Sequence, residues 1–332
     1  MAAHHIDPQR EIELRGTIEN ELAVNPGCID LASAIKSDND LFIVAELLKK
    51  DTRVRKLILS DNSITNRGAE AIADLLRYNK TIQSLDLSYN NIGDAGMQKV
   101  MHALQSSGTL IHLSFGTNKL SLDGIDTFFH LLTQIPHLTS LELSYSNTES
   151  EIQKKIAQKA RENKTLLSFA YYGLDDEMLK PFLGVLKHNH TLQTLRFSHG
   201  EISYESARPL AEALKHNKNI QTLDLSHNYI DDQGARILTE APKRHSKFTT
   251  LILNDSEMMT VNGINALNTK GKFTVITNPE LKRKRNDSPE CTPQEKHRKI
   301  TIVGNLFSLL GQPASAQSGT SAKASKFDGP SL

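Results

Sequence analysis

Apolar residues recur along this chain with a period of 28. The first apolar position of each unit stands at Leu57, Leu85, Leu113, Leu141, Phe169, Leu195, Leu223 and Leu251, and only the step from Phe169 to Leu195 is shorter, at 26. Each unit opens with a short stretch such as Leu85-Asp86-Leu87, whose alternation of apolar and polar positions is that of a strand with one face buried. A turn follows, and then an amphipathic stretch such as Ala69-Glu70-Ala71-Ile72-Ala73-Asp74-Leu75-Leu76, whose apolar residues fall on one face of a helix of about three turns. A strand–helix unit of this size cannot bury its apolar face alone, so repetition at a fixed period predicts units stacked side by side around one continuous core. Strands are expected near 57–59, 85–87, 113–115, 141–143, 169–171, 195–197, 223–225 and 251–253.

The pattern changes at both ends. Residues 1–28 are polar, with apolar positions at Ile12, Leu14, Ile18 and Leu22 that fit a helix from Glu11 to about Val24, ended by Asn25-Pro26-Gly27. They read as a helical cap, because the first unit of a solenoid must shield its open end from water. Ile29-Asp30-Leu31 lies one period before Leu57 and reads as a degenerate first unit, with Leu41, Val44, Leu47 and Leu48 on its helix. Phe273-Thr274-Val275-Ile276-Thr277 reads as a last strand. The repeats therefore span 29–278. Residues 279–332 form a basic tail that ends in Ser, Ala and Gly, a composition expected to be largely disordered.

Leu85-Asp86-Leu87-Ser88-Tyr89-Asn90-Asn91-Ile92, followed by Gly96, Met97, Val100, Met101 and Leu104, resembles a leucine-rich repeat. The 28-residue period and the helix beginning Gly68-Ala69 are similar to the ribonuclease-inhibitor-like subfamily. The resemblance implies an α/β fold: a right-handed leucine-rich-repeat solenoid, or horseshoe, with a concave parallel sheet and convex helices. It also implies that the asparagine of the motif, at Asn62, Asn90, Asn118 and Asn228, lies inside the bend and bonds neighbouring backbone. That asparagine is replaced by Ser146, Gly200 and Ser256, and the unit starting at Phe169 lacks it together with two residues. The rule thus fails between about Ser144 and Ile202, and local failures of a sequence rule are expected at functional or strained sites. Asn79, Asn163 and Asn189 recur where helices end, in sequons that do not argue for glycans. Asparagine there suits a left-handed helix terminus.

Composition narrows the function. Aromatics make up 5% and Trp is absent, which suits a core of repeated aliphatic positions. With 39 basic and 38 acidic residues the formal charge is +1, so the chain as a whole is no specific nucleic-acid binder. Two distant cysteines, Cys28 and Cys291, imply no disulfide framework. No run approaches the ~18 apolar residues of a membrane span, and the first residues lack the apolar core of a signal peptide. The expected setting is intracellular, cytoplasmic and/or nuclear. No phosphate-binding loop, dinucleotide fingerprint, H-E-x-x-H or C-x-x-C is present. The pairs Asp175-Asp176 and Asp231-Asp232 lie just before helices, where they serve as caps and dipole partners rather than as an acid–base pair. No catalytic residue, cofactor or metal is therefore expected.

What remains is a binding scaffold for a protein partner on the concave face. Side chains that alternate with the core leucines should line that face in two columns. The first runs Ile58, Asp86, Ser114, Glu142, Ala170, Arg196, Asp224 and Ile252. The second runs Asp61, Tyr89, Thr117, Tyr145, Gly173, His199, His227 and Asp255, with Tyr172 beside it. Tyr and Arg are the types that most often carry interface energy, and they cluster where the asparagine rule fails. The expected partner-binding residues are Tyr89, Glu142, Tyr145, Tyr172, Arg196, His199 and His227. The two histidines, one repeat apart at exposed strand positions, are expected to approach each other as a surface contact and not as a zinc site, which needs further ligands.

In the tail, ten residues, 286–295, separate Lys282, Arg283, Lys284 and Arg285 from Lys296, Arg298 and Lys299. Two such clusters resemble a bipartite nuclear-import signal, which an acidic import adaptor would take in extended form. Ile302, Val303, Leu306, Phe307 and Leu310 fall on one helical face and could dock on the last repeat as a cap. Two alternatives to a plain scaffold follow from resemblance. Ran GTPase-activating proteins share this repeat type, although their tails are acidic where this one is basic. Effectors that intracellular bacteria deliver into host cells share the regular repeats and small Ser/Ala tail, and a nuclear address would then act in the host.

Overall fold

The computed structural model describes residues 7–144, 150–241, 247–256, 258–267 and 274–277. These lie in one compact unit, Met1–Asp287. Helix and strand alternate in the order α1 (Pro8–Val24), β1 (Cys28–Asp30), α2 (Asp38–Leu48), β2 (Lys56–Ile58), α3 (Asn66–Tyr78), β3 (Ser84–Asp86), α4 (Asp94–Ser107), β4 (His112–Ser114), α5 (Leu122–Leu132) and β5 (Ser140–Ser144). They continue as α6 (Ser150–Glu162), β6 (Ser168–Tyr172), α7 (Asp176–His188), β7 (Thr194–Arg196), α8 (Ala207–His216), β8 (Thr222–Asp224), α9 (Asp232–Glu240), β9 (Thr250–Ile252), α10 (Val261–Leu267) and β10 (Thr274–Ile276). The ten strands form one open parallel sheet in sequence order. The expected solenoid is thus the observed fold, and the degenerate first unit and the last strand are both part of it.

Strand register follows the repeat. Leu57 pairs with Leu85, Leu85 with Leu113, and Leu113 with Leu141, each in the same layer of the core. These leucines are fully buried, as are Leu59 and Leu87. Burial of one such side chain stabilises the fold by roughly 1.5–3 kcal/mol. Most strands are three residues long and begin one residue before the expected positions. They end early because the chain turns sharply after them. Ser33, Asp61, Tyr89, Thr117, His199, His227 and Asp255 all have φ between 52° and 59°, and Gly173 has φ 77°. The described positions of the second column therefore form a left-handed bend and not, as their spacing suggests, a row of strand positions. Non-glycine residues reach this conformation at a cost of roughly 1–2 kcal/mol each. Backbone bonds between repeats hold them there, such as Tyr89 N to Gly116 O at 2.9 Å and His227 N to Asn254 O at 2.8 Å.

Two asparagine ladders join the repeats. In the first, Asn90 Oδ1 accepts from the amides of Asn62 and Ile64, and its Nδ2 donates to Leu59 O in the preceding repeat and to Leu87 O in its own. Asn62, Asn118 and Asn228 bridge in the same way. The second ladder runs through Asn79, Asn189 and Asn217 at the helix ends. Asn189 donates to Ala160 O and Asn163 O, and accepts from the amides of Thr191 and Leu192. These residues are extended, Asn79 with φ −69° and ψ 128°, so the expected left-handed terminus is corrected. The amide is retained for its bonds to two repeats at once.

The first ladder gives way at Gly200 for a steric reason. The preceding bend is two residues shorter, and a Cβ at Gly200 would meet Leu174 O at 2.3 Å. There the core turns aromatic. Phe182 contacts Tyr171 at 4.6 Å and Phe197 at 5.6 Å between ring centroids, and Phe115 meets Phe128 at 5.7 Å. Composition had pointed to an aliphatic core; the few rings are concentrated in the middle of the chain.

Helix α1 begins at Pro8, behind the capping carboxylate of Asp7, and covers the first repeat with Leu14, Ile18 and Leu22, while Ile12 points outward. Arg10 fastens it by bonds to Asp40 at 2.8 and 3.0 Å. The carboxylates of Asp175 and Asp231 accept from Met178 N and Gly234 N and so cap α7 and α9. The second acid of each pair reaches into the next repeat, Asp176 to Ser203 and Asp232 to Thr260, each bonding both backbone N–H and hydroxyl.

Candidate binding surface on the concave face

In β4 to β9 the residues on either side of the first core position point to the concave side. One row is His112, Ser140, Ser168, Thr194, Thr222 and Thr250; the next is Ser114, Glu142, Ala170, Arg196, Asp224 and Ile252. Neighbouring strands are about 4.8 Å apart, so residues two strands apart are within reach of a long side chain. Ala170 offers only a methyl group, and Arg196 crosses it. Its Nη1 donates to Glu142 Oε1 at 3.0 Å, and its Nε donates to Asp224 Oδ2 at 2.9 Å on the other side. The same Nη1 lies 3.4 Å from Tyr172 Oη. Asp224 is held in turn by the N–H and hydroxyl of Ser226. His112 Nδ1 meets Ser140 Oγ at 2.9 Å, and its Nε2 lies 3.7 Å from Glu142.

Strand β6 also carries bulk where its neighbours carry little. Tyr172 pairs with Ser144, and the equivalent positions in later repeats are Ser198, Ser226 and Asn254. Its ring meets His199 edge-on at 6.0 Å. His199 stacks on His227 at 4.1 Å with the planes 12° apart, and His227 Nε2 lies 3.5 Å from Asp255 Oδ2. A continuous chain of contacts thus runs from His112 through Glu142, Arg196, Tyr172, His199 and His227 to Asp255. Both stacked histidines are exposed, whereas Glu142, Tyr172 and Arg196 are half-buried.

The environment shifts several protonation equilibria. Burial raises the pKa of the Tyr172 hydroxyl, and the Glu142 carboxylate beside it adds to the effect. Burial disfavours the charge on Arg196, yet Tyr172, Asp224 and Glu142 outweigh it and raise the guanidinium pKa. His199 is lowered from the ordinary 6.5, first by loss of water around the ring and then by the neighbouring His227. A guanidinium locked between two carboxylates is a fixed feature of the surface. The imidazoles are its adaptable donors and acceptors.

Of the residues expected to form the site, Glu142, Tyr172, Arg196, His199 and His227 come together. Tyr89 stands apart on the bend after β3, exposed and outside this chain of contacts. Tyr145 falls outside the described residues, as do Lys282, Arg283, Lys284, Arg285, Lys296, Arg298 and Lys299 and the apolar face 302–310. His112, Asp224 and Asp255 belong to the network but were not among the expected residues. His112 was legible, because it directly precedes the core residue Leu113. Asp224 and Asp255 were in the concave columns, and their charge opposite Arg196 and His227 was the signal. Among the described residues, no group of three or more His, Cys, Asp or Glu side chains is placed to hold a metal ion. No helix among them is long and apolar enough to cross a membrane.

Residues 51–73, 78–101, 188–211 and 216–237 match a family model described as Leucine Rich repeat. No curated protein matches the chain. Among solved structures the chain is similar to leiomodin-1 actin-binding site 2, with 22% identity over 52% of this chain and 87% of that one, at a TM-score of 0.31. It is also similar to a Bacteroides fragilis protein, with 13% identity over 70% and 68% and a TM-score of 0.48. A third is the Caenorhabditis elegans tropomodulin C-terminal domain, with 13% identity over 46% and 92% and a TM-score of 0.35. The matched segments carry leucine-rich repeats, and the ten parallel strands alternating with helices give an α/β solenoid fold of that type.

Proposed function

We propose that this solenoid is a non-catalytic scaffold that binds a partner protein on its concave face, centred on Glu142, Tyr172, Arg196, His199 and His227. The observation that carries the reading is their junction into one contact network with two exposed, stacked imidazoles at its rim. Arg and Tyr are among the groups that most often dominate interface energy. Arg196 and Glu142 are already fixed by their ion pair, so little ordering is left to oppose binding.

The test compares wild type with the double variant His199→Asn/His227→Asn, since asparagine tolerates the left-handed backbone at both positions. Proteins captured from eukaryotic lysate are identified by mass spectrometry, and affinity for the one captured most strongly is then measured with purified material. The double variant should bind that protein at least about tenfold more weakly, a loss of ~1.4 kcal/mol, while keeping a cooperative melt. Equal binding by both forms, together with loss of binding on changes to the convex helices, would place the site elsewhere and sink the reading.

A further inference from the structure

In a parallel solenoid all the helices end along one edge, and the last turns of α6, α7 and α8 and the loops that follow them are strongly cationic. Arg161, Lys164, Lys187, Lys215, Lys218 and Lys247 are all exposed along this edge, with His188, His190 and His216 between them. The carboxylates nearby in sequence are Glu162, 3.7 Å from Arg161, Glu212, which bonds Lys215, and Glu240, which ends α9. Lys164, Lys187 and Lys218 make no ion pair among the described residues.

Helix dipoles favour cations at every C-terminus, but they do not account for this row. The ends of α4 and α5, Gln105-Ser106-Ser107-Gly108 and Thr133-Gln134-Ile135-Pro136-His137, carry no Lys or Arg although their dipoles are the same. Lys164 and Lys218 also lie beyond the helices, where the dipole has lapsed. At the α2 and α3 ends Lys49 and Arg77 are paired with Glu46 and Asp74, and the exposed Lys50 and Lys80 beyond them are separated from the row by the Lys- and Arg-free ends of α4 and α5.

Beside the row runs a cleft between α7 and α8, of about 240 Å³, lined by Leu183, Gly184, Lys187, Pro209, Ala213 and His216, and by Glu212, whose carboxylate is taken up by Lys215. Small residues on the facing helices open it. A Cβ at Gly184 would meet only Arg161 Cδ, at 3.7 Å. The cleft has an apolar floor and, at its end, the cations of the row.

We propose that this convex edge binds an acidic peptide segment of a partner protein, with one apolar side chain of that segment in the α7–α8 cleft. Charge complementarity selects an anionic ligand, and the cleft selects one with an apolar anchor. A nucleic acid fits less well. Sequence-tolerant strand binding relies on exposed aromatic rings; the exposed Tyr89, Tyr204 and Tyr229 lie away from these helix ends, and Tyr78, at the end of α3, is three repeats from α6. The formal charge of +1 also supplies no general attraction for a long polyanion.

The full chain is titrated, at low ionic strength, with a fluorescent peptide of Glu and Asp residues around a central Leu. The same peptide with Ser in place of Leu, and a single-stranded oligothymidylate of equal charge, are titrated alongside. The Leu peptide should bind most tightly, and added salt should weaken it. Lys187→Glu/Lys218→Glu should weaken it by about tenfold or more. Lys119→Glu, a charge reversal on the opposite edge, should leave it unchanged. Gly184→Leu, whose Cβ has room beside Arg161, adds bulk to the cleft wall, and it should weaken the Leu peptide but not the Ser peptide. Absence of peptide binding overturns the proposal. So does tighter binding of the oligothymidylate, an equal effect of Lys119→Glu, or indifference of the Leu peptide to Gly184→Leu.

Discussion

The imidazoles of His199 and His227 lie face to face, 4.1 Å apart and within 12° of parallel. Each occupies the left-handed bend of its repeat, so the solenoid spacing itself brings them together. His199 is lowered from 6.5 by lost hydration and by His227, against the weaker opposing pull of Asp224 and Asp255; Arg196 also lowers it. A histidine with a depressed folded pKa is protonated in the unfolded chain before it is protonated in the folded one. Stability from this group is therefore complete above about pH 6.5 and is lost as pH falls from there through the folded pKa. Thermal melts between neutral and mildly acidic pH should show wild type losing more stability on acidification than His199→Asn. Parallel pH profiles for the two proteins would show that the stacked pair does not set the titration.

Arg196 is as much a structural residue as a candidate contact. With Arg196→Met, Glu142 and Asp224 lose the cation between them while staying half-buried or buried. Breaking such an arrangement from one side costs about 3–5 kcal/mol, and urea denaturation should register a loss of that order. Adding Glu142→Gln should restore part of it, because one uncompensated charge is then removed. A single variant as stable as wild type would mean that the triad is not coupled in solution.

Gly173 isolates the cost of the left-handed bend. Its φ is 77°, and an added Cβ would meet nothing within 4 Å. Gly173→Ala should therefore destabilise by up to about 1 kcal/mol, the strain of the left-handed backbone less the freedom that alanine removes from the unfolded chain. The reverse change at the equivalent position, Tyr89→Gly, should leave stability nearly unchanged, because relief of strain offsets the greater freedom of glycine in the unfolded chain. Denaturant midpoints would decide both, and an alanine variant equal to wild type would contradict the account of the bend.

For the tail, we propose that Lys282-Arg283-Lys284-Arg285 and Lys296-His297-Arg298-Lys299 direct nuclear entry by capture on an acidic import adaptor. Residues 279–300 fused to a fluorescent protein too large for passive entry should concentrate in the nucleus of eukaryotic cells. Ser288-Pro289 and Thr292-Pro293 lie between the clusters, and phosphate there would add negative charge and weaken capture. Ser288→Asp/Thr292→Asp should thus reduce the nuclear signal. A wholly cytoplasmic parent fusion would refute the signal.

Much of this protein was legible in sequence, because a repeated apolar pattern has one efficient way to bury itself. The period determined the stacked strands and the core leucines, the apolar spacing from Ile12 to Leu22 determined the first helix, and the resemblance to leucine-rich repeats implied the parallel sheet and the first asparagine ladder. The concave columns could be written down in order, and five of the expected contact residues do meet. What a period cannot convey is distance between side chains on different strands. That Arg196 reaches Glu142 depends on the missing bulk at Ala170, a relation among three repeats that no local pattern encodes. The left-handed bend was also hidden. Tyr89, His199 and His227 continue the alternation of a strand by count alone, and only bonds to the next repeat turn the backbone there. In the same way Asn189 reads as a helix stop by residue type, while its extended backbone and its bridge to Ala160 and Asn163 arise only when the repeats stack. Local propensity and burial determined the elements; contacts between residues some 26–54 positions apart decided the surface.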